Sequence, residues 1–241
     1  MTGTFLNIAT VVIGSLIGSA LGNRLPDRMR ETVMDGLGLM TLAVGLNMAI
    51  GTHNILIPLF SVLLGGVLGE WWHIETHLEA AGRWLERRFG DTLGNTDERS
   101  VTRAFVTASL VFCVGPLSVL GPIQDGLTGD YSLLAIKSLL DGFASLAFAA
   151  SLGPGVILSV VTIFLYQGGL SLGAGVLATA LGSVTRETPW VIEMTATGGV
   201  LILGISLILL DLKRIRVANL LPAIVIAPAI VIILERLNVP Y

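Results

Sequence analysis

The chain has 241 residues, of which 53 % are hydrophobic and only 13 % charged, with a formal net charge of -3. A soluble globular domain carries about one quarter charged residues, so this composition excludes an ordinary soluble fold and gives no basic surface for nucleic acid. It is that of an all-α, polytopic integral membrane protein.

The first predicted span is 4–22, TFLNIATVVIGSLIGSALG, with its basic residues after it rather than before it, unlike a cleaved signal peptide. Gly14, Gly18 and Gly22 recur every four residues beside Ser15 and Ser19, a small-residue ridge for close helix contact, within the chain or between subunits. The second span, 34–51, opens on Asp35 and contains Asn47, and the third, 55–70, ends in a glycine pair and Glu70. In 71–89, Trp71, Ile74, Leu78, Ala81 and Leu85 follow helical spacing with Arg83, Arg87 and Arg88 elsewhere, which predicts a helix lying on the membrane surface. His73 and His77 of that segment are four residues apart, but no third ligand accompanies them or His53, and they are read as interfacial rather than metal-binding. The lone Cys113 excludes an intrachain disulfide, and no metal or other cofactor is expected. Residues 90–103 are the expected soluble loop between two halves.

The fourth span, 104–121, carries Pro116, and after it comes the most informative stretch, 121–153. Its segment 122–130 holds Gln124, Asp125, Thr128 and Asp130 among glycines, and is expected to be broken backbone, with Asp130 able to cap the next helix. Lys137 and Asp141 then sit four apart on one face of an otherwise apolar helix. With that helix starting at Tyr131, a rise of about 1.5 Å per residue puts them about 9 and 15 Å deep in a core about 30 Å thick. A charge there costs roughly 2.5 to 3.5 kcal/mol or more and faces a bundle interior, a partner or water. Two readings stay open, a structural ion pair or the wall of a path for solute.

Residues 154–182 are apolar for longer than one untilted helix needs, which predicts a break near Gln167, Gly168 and Gly169. The seventh span, 190–210, places Glu193, Thr195 and Thr197 at its glycine-broken start, and the last is 217–235. This makes about eight spans, with seven to nine admissible. With the N-terminus outside, the inner segments hold Arg24, Arg28, Arg30, Arg83, Arg87, Arg88, Arg99, Arg103, Lys213, Arg214 and Arg216, and the outer ones only Arg186 and Arg236. Eleven against two follows the positive-inside rule.

The run from Asp35, DGLGLMTLAVGL, aligns with that from Asp141, DGFASLAFAASL, and Leu64-Gly65-Gly66 aligns with Gln167-Gly168-Gly169. Spans one to three and four to six are therefore candidate inverted three-helix repeats, an arrangement that builds transport sites near the midplane. The corresponding organisation is a first repeat with its interfacial helix over 1–89, a cytoplasmic loop over 90–103, a second, inverted repeat over 104–182, and a two-helix extension over 183–241.

GPIQDGLTGDYSLLAIKSLLDGFASLAFAASLG, FVTASLVFCVGP, EMTATGGVLILGISL and IRVANLLPA together resemble the bacterial integral-membrane family known only as domain of unknown function number 554, over the whole chain. That resemblance implies a bacterial inner-membrane protein and brings no activity. The repeated Asp-Gly is, more weakly, similar in architecture to the TRIC-type cation channels, a likeness that implies ion conduction; their glycine runs are not matched in both halves.

These features lead to the expectation of a channel or transporter for a small ion or small solute, a homo-oligomer in the inner membrane and not an enzyme, since no nucleophile-base or metal constellation is visible. Its pathway would draw on Asp35, Asn47, Gln124, Asp125, Thr128, Asp130, Lys137, Asp141, Gln167, Glu193, Thr195 and Thr197. The alternative is a scaffold whose polar residues only fix helix packing.

Overall fold

A computed structural model describes residues 1–22, 26–93, 98–181, 185 and 187–237. Arg24, Arg186 and the expected boundary at 182–183 lie outside the described residues. The rest is all helix, with no strand among the described residues: α1 Thr2–Gly22, α2 Asp27–Ile50, α3 Leu56–Trp71, α4 Ile74–Leu93, α5 Glu98–Cys113, α6 Pro116–Thr128, α7 Ser132–Leu152, α8 Ser159–Leu181, α9 Pro189–Leu209 and α10 Ala223–Arg236. Short 3-10 turns, Pro154–Leu158 and Val217–Leu220, precede α8 and α10.

Six of the described segments are long and apolar enough to cross a membrane, and two bent pairs bring the number to eight if each is one span. One pair, Leu56–Trp71 with Ile74–Leu85, bends by 59°; the other, Val101–Cys113 with Leu117–Thr128, bends by 64°. In lipid a helix satisfies every backbone polar group internally, which is why the apolar stretches emerge as helices whatever their glycine content.

Three expectations about breaks are corrected. The segment 122–130 is not irregular: α6 continues through Pro122 to Thr128, and the breaks fall on either side, at Gly115 with φ 128° and Gly129 with φ 73°, backbone that glycine adopts without strain. The fourth span is therefore two half-helices. No break occurs near Gln167, because α8 is continuous from Ser159 to Leu181; the excess length of 154–182 is taken up by the 3-10 turn that follows Gly153. A ninth span made by splitting α8 falls away with it. The loop expected over 90–103 is helical at 90–93 and 98–103, with 94–97 outside the described residues.

The chain forms two compact units. The first comprises Met1–Leu37, Leu78–Cys113 and Leu117–Ser183, the second Gly38–His77, Val114–Pro116 and Val184–Tyr241. In the first, α1 lies parallel to α7 at backbone contact. A Cβ on Gly14 would meet the carbonyl oxygen of Gly142 at 2.2 Å, one on Gly18 that of Leu146 at 2.1 Å, and one on Gly22 that of Ala150 at 2.4 Å. The glycine ridge thus serves packing within the chain, and its opposite face, with Phe5, Ile13 and Leu16 exposed, is apolar. The inner edge of α4 packs on protein: Leu85 is buried with Val101, Phe105 and Leu158, and Leu78 lies against them. Ala81, expected on that face, is exposed, as is Trp84.

In the second unit, α2 and α9 run antiparallel, with Gly45 against Gly199 and Leu203. There α3 meets the last helix through Gly65 against Ala223 and Gly69 against the Asn219 carbonyl. At that end Asn219 donates to Glu70 at 2.7 Å and accepts the Glu75 N–H at 2.7 Å, and Arg216 pairs with Glu70.

Candidate functional site

The first unit buries a polar cluster built from three helices. Lys137 and Asp141, in the second and third turns of α7, are 4 % and 8 % exposed, and the ammonium donates to Asp141 Oδ2 as an i,i+4 ion pair. Asn7 of α1 donates its amide to the same oxygen at 2.9 Å and also to Gln167 Oε1 of α8 at 3.2 Å. Asn7 and Gln167 are both fully buried. The parallel α1–α7 contact carries Asn7 to the level of the pair, and the antiparallel return of α8 brings Gln167 across. The pair is neutral in sum and hydrogen-bonded across helices, which is how buried charge becomes tolerable. Asn7 Oδ1 and Gln167 Nε2 nevertheless have no partner.

Of the predicted residues, Lys137, Asp141 and Gln167 come together here. Asn7 was not among them; its signal was an amide in an apolar span, the same signal that singled out Asn47. Asp125, 3 % exposed, lies elsewhere in this unit and accepts the Gly3 N–H at 3.0 Å, closing the start of α1. Gln124, Thr128 and Asp130 join one another at the α6–α7 turn rather than the pair. Gln124 donates to Asp130 Oδ2 at 2.6 Å, Thr128 donates to the Gln124 carbonyl at 2.9 Å, and Asp130 Oδ1 accepts the Ser132 N–H at 2.9 Å from one residue before Tyr131, the N-cap of α7. Asp35, aligned with Asp141 in sequence, is exposed on α2, and so is Asn47.

The Ser132 backbone N–H, with the Ser132 hydroxyl and the Gln124 amide, holds the exposed Asp130 carboxyl below its usual value of 3.8. A depressed folded value means stability that is present above the unfolded pKa and lost as pH falls through the folded one. The thermal stability of Asp130→Asn should therefore fall short of the parent at neutral pH, and the gap should close on acidification below about pH 4, the unfolded carboxylate range. A gap independent of pH would show that charge on Asp130 contributes nothing.

In the second unit Glu193 is fully buried on α9 and gathers the 52–54 turn: its carboxylate accepts Thr52 Oγ1 at 2.6 Å, the His53 N–H at 2.8 Å and the Asn54 N–H at 3.3 Å. The buried Thr197 bonds back to the Glu193 carbonyl at 2.7 Å, and Thr195 is half-buried. Here a carboxylate ties a turn to a helix. Glu193→Ala should strand those donors and destabilise by about 1–3 kcal/mol, with Glu193→Gln recovering part of the loss, checked by thermal melts of both. Equal melting of all three proteins would show that the turn does not depend on it.

The family model described as "Protein of unknown function (DUF554)" matches residues 2–232. The chain belongs to this family. Among DUF554-like relatives, the "Uncharacterized membrane protein YdfK" of Bacillus subtilis (strain 168) is 30 % identical, the alignment covering 100 % of both chains. The "Uncharacterized protein YqgA" of Escherichia coli (strain K12) is 29 % identical over 93 % of this chain and 94 % of its own. No solved structure matches. This member of DUF554 is accordingly a polytopic helical membrane protein, in agreement with its apolar helices.

Proposed function

We propose that the protein is a channel or transporter for a small ion or small solute, and that the Asn7, Lys137, Asp141 and Gln167 cluster is its site. The observation that carries this reading is the cluster itself: an ion pair in the middle of an apolar helix, joined to amides from two other helices, with one amide oxygen and one amide nitrogen left without partners. Ionisable groups at membrane depth are expensive and concentrate along ion and proton paths. The half-helices α5 and α6 add the interrupted-helix feature of transport folds.

On this reading the protein is not an enzyme and works as a homo-oligomer in the bacterial inner membrane, with the N-terminus and the 124–130 turn outside, as the distribution of lysine and arginine favours. The scaffold alternative rests on the same pair, since Lys137 and Asp141 neutralise each other on one helix. Flux of protons, alkali cations and small anions in proteoliposomes, wild type against Lys137→Met with Asp141→Leu, separates the two. Flux that disappears in a folded, inserted double variant supports transport; no flux in either protein, or equal flux in both, rejects this site.

A further inference from the structure

A carboxylate only accepts hydrogen bonds, so Asp141 fixes which way round each amide of the cluster stands. Asn7 must present its Nδ2 to Asp141 Oδ2, and Gln167 must then present Oε1 to that same Nδ2. This polarity leaves two mismatched ends. Asn7 Oδ1 is a buried acceptor without a donor, and Gln167 Nε2 is a buried donor without an acceptor, both on fully buried side chains. Buried amides normally find partners, because an unmade bond costs the full desolvation of the group.

The ion pair has open positions of both kinds as well. Both bonds to the carboxylate land on Oδ2, so Oδ1 accepts none among the described residues, and the Lys137 ammonium gives one of its three hydrogens to Asp141. The cluster therefore offers the oxygens Asp141 Oδ1 and Asn7 Oδ1 as acceptors, and Lys137 and Gln167 Nε2 as donors. A bare alkali cation needs several oxygens in place of its hydration shell, and here it would stand beside an ammonium. An anion alone would find donors but would leave a net negative charge in a desolvated site, at high cost. A proton and a monovalent anion together keep the site neutral. They also match its open positions: the proton goes to a carboxylate oxygen, its new O–H has Asn7 Oδ1 as an acceptor, and the anion takes Lys137 and Gln167 Nε2.

We propose that the cluster binds a small monovalent anion, of the halide or nitrate class, together with one proton. This names the substrate of the site described above and rests on that reading for its role in transport. A hydronium ion gives one proton to Asp141 Oδ1 and leaves as water. The carboxylate becomes a neutral acid, while Lys137 keeps its own proton and, no longer paired, is a buried cation that the anion neutralises. Proton and anion therefore tighten each other's binding by the same factor. Release runs the same steps in reverse. The groups facing Asp141 are Lys137 on its own helix and the uncharged Asn7 of α1 and Gln167 of α8. The Pro154–Leu158 turn brings no titratable side chain, and α5 brings Cys113, whose thiol the charges of both Lys137 and Asp141 reach. Tyr166 of α8 is the titratable neighbour of Cys113, and Asp125 of α6 faces Gly3 and the Met1 amino group instead.

Two measurements on the full chain test this. In the first, proteoliposomes with a pH dye trapped inside receive an inward gradient of sodium chloride or sodium nitrate, with the membrane potential clamped at zero and protein-free vesicles as background. The lumen should acidify, equally well when choline replaces sodium, and sodium gluconate, whose anion is too bulky for a buried cluster, should have no effect. Asp141→Asn carries an amide in place of the neutral acid and should move chloride against nitrate without moving protons. Acidification indifferent to the anion, or flux of an alkali cation without anion and proton, overturns the proposal.

The second reads binding without transport. Thermal melts in detergent compare sodium chloride and sodium nitrate with sodium gluconate at equal ionic strength over a range of pH. An anion in tenfold excess over its dissociation constant should raise Tm by roughly 3–6 °C. In the wild type that rise should grow as the pH falls, because the anion needs the protonated site. In Asp141→Asn it should be independent of pH, and in Lys137→Met with Asp141→Leu it should vanish. Equal melting of the wild type in all the salts at every pH, or a rise that survives in the double variant, overturns the anion site. Anion-specific stabilisation in a protein with no flux of any solute keeps the site and removes the transport reading instead.

Discussion

Asp141→Leu alone should be among the most damaging single changes in the chain. It strands the Lys137 ammonium, 4 % exposed, and also removes the acceptor of the Asn7 amide. Breaking a buried ion pair by deleting one partner costs roughly 3–5 kcal/mol, whereas replacing both charges by apolar groups of similar size is often neutral or stabilising. The double change Lys137→Met with Asp141→Leu should therefore melt close to wild type and well above Asp141→Leu, as measured in the same detergent. The recovery should stop short of complete, because Asn7 still points a donor at a position that no longer accepts. A double variant as unstable as Asp141→Leu would mean that the pair is held by more than its own charges. A stable double variant with normal flux would place transport outside this cluster.

The same comparison shows how far the sequence carries. Lys137 and Asp141 were legible because a charge in an apolar helix-length run has few explanations, and their i,i+4 spacing already implies a shared face. Their tertiary partners were not. Gln167 is one amide in a glycine pair that invites a break, and Asn7 one amide in a span whose glycine ridge draws the eye; only the parallel α1–α7 packing and the antiparallel α8 return bring the two together. The four polar residues at the α6–α7 turn were grouped with the pair for their nearness in sequence. A helical α6 instead turns Asp125 inward to the start of α1 and leaves Gln124, Thr128 and Asp130 to one another.

Breaks were misplaced for one physical reason. In water a Gly-Gly pair weakens a helix, but in lipid an opened backbone bond has no substitute, so α8 passes through Gly168 and Gly169 unbroken. Interruptions occur instead at glycines in positive φ, at Gly115 and Gly153, each followed by proline, and at Gly129, followed by Asp130. The overall all-helical, membrane-crossing architecture was legible from composition and period alone.

Gly18→Val should rival the loss of Asp141, for the opposite reason. The Gly14, Gly18 and Gly22 ridge was readable as close-packing, in the chain or between subunits, and α7 occupies it. A Cβ on Gly18 would stand 2.1 Å from the Leu146 carbonyl oxygen and 2.9 Å from the Leu146 Cα, all backbone atoms that no rotamer change can move aside. Relief requires α1 and α7 to separate. Overpacking of a well-packed core costs about 1–3 kcal/mol and occasionally more, and here the separation acts at a distance too. Asn7 reaches Asp141 only while α1 stays against α7, so Gly18→Val, about three turns away, should weaken the polar cluster as well as the helix contact. Gly36→Val is the matched control, because a Cβ there meets nothing within 4 Å. Thermal melts should show a large drop for Gly18→Val and little change for Gly36→Val. A benign Gly18→Val would mean that α1 and α7 do not pack at backbone contact, and the geometry of the cluster would fall with that packing.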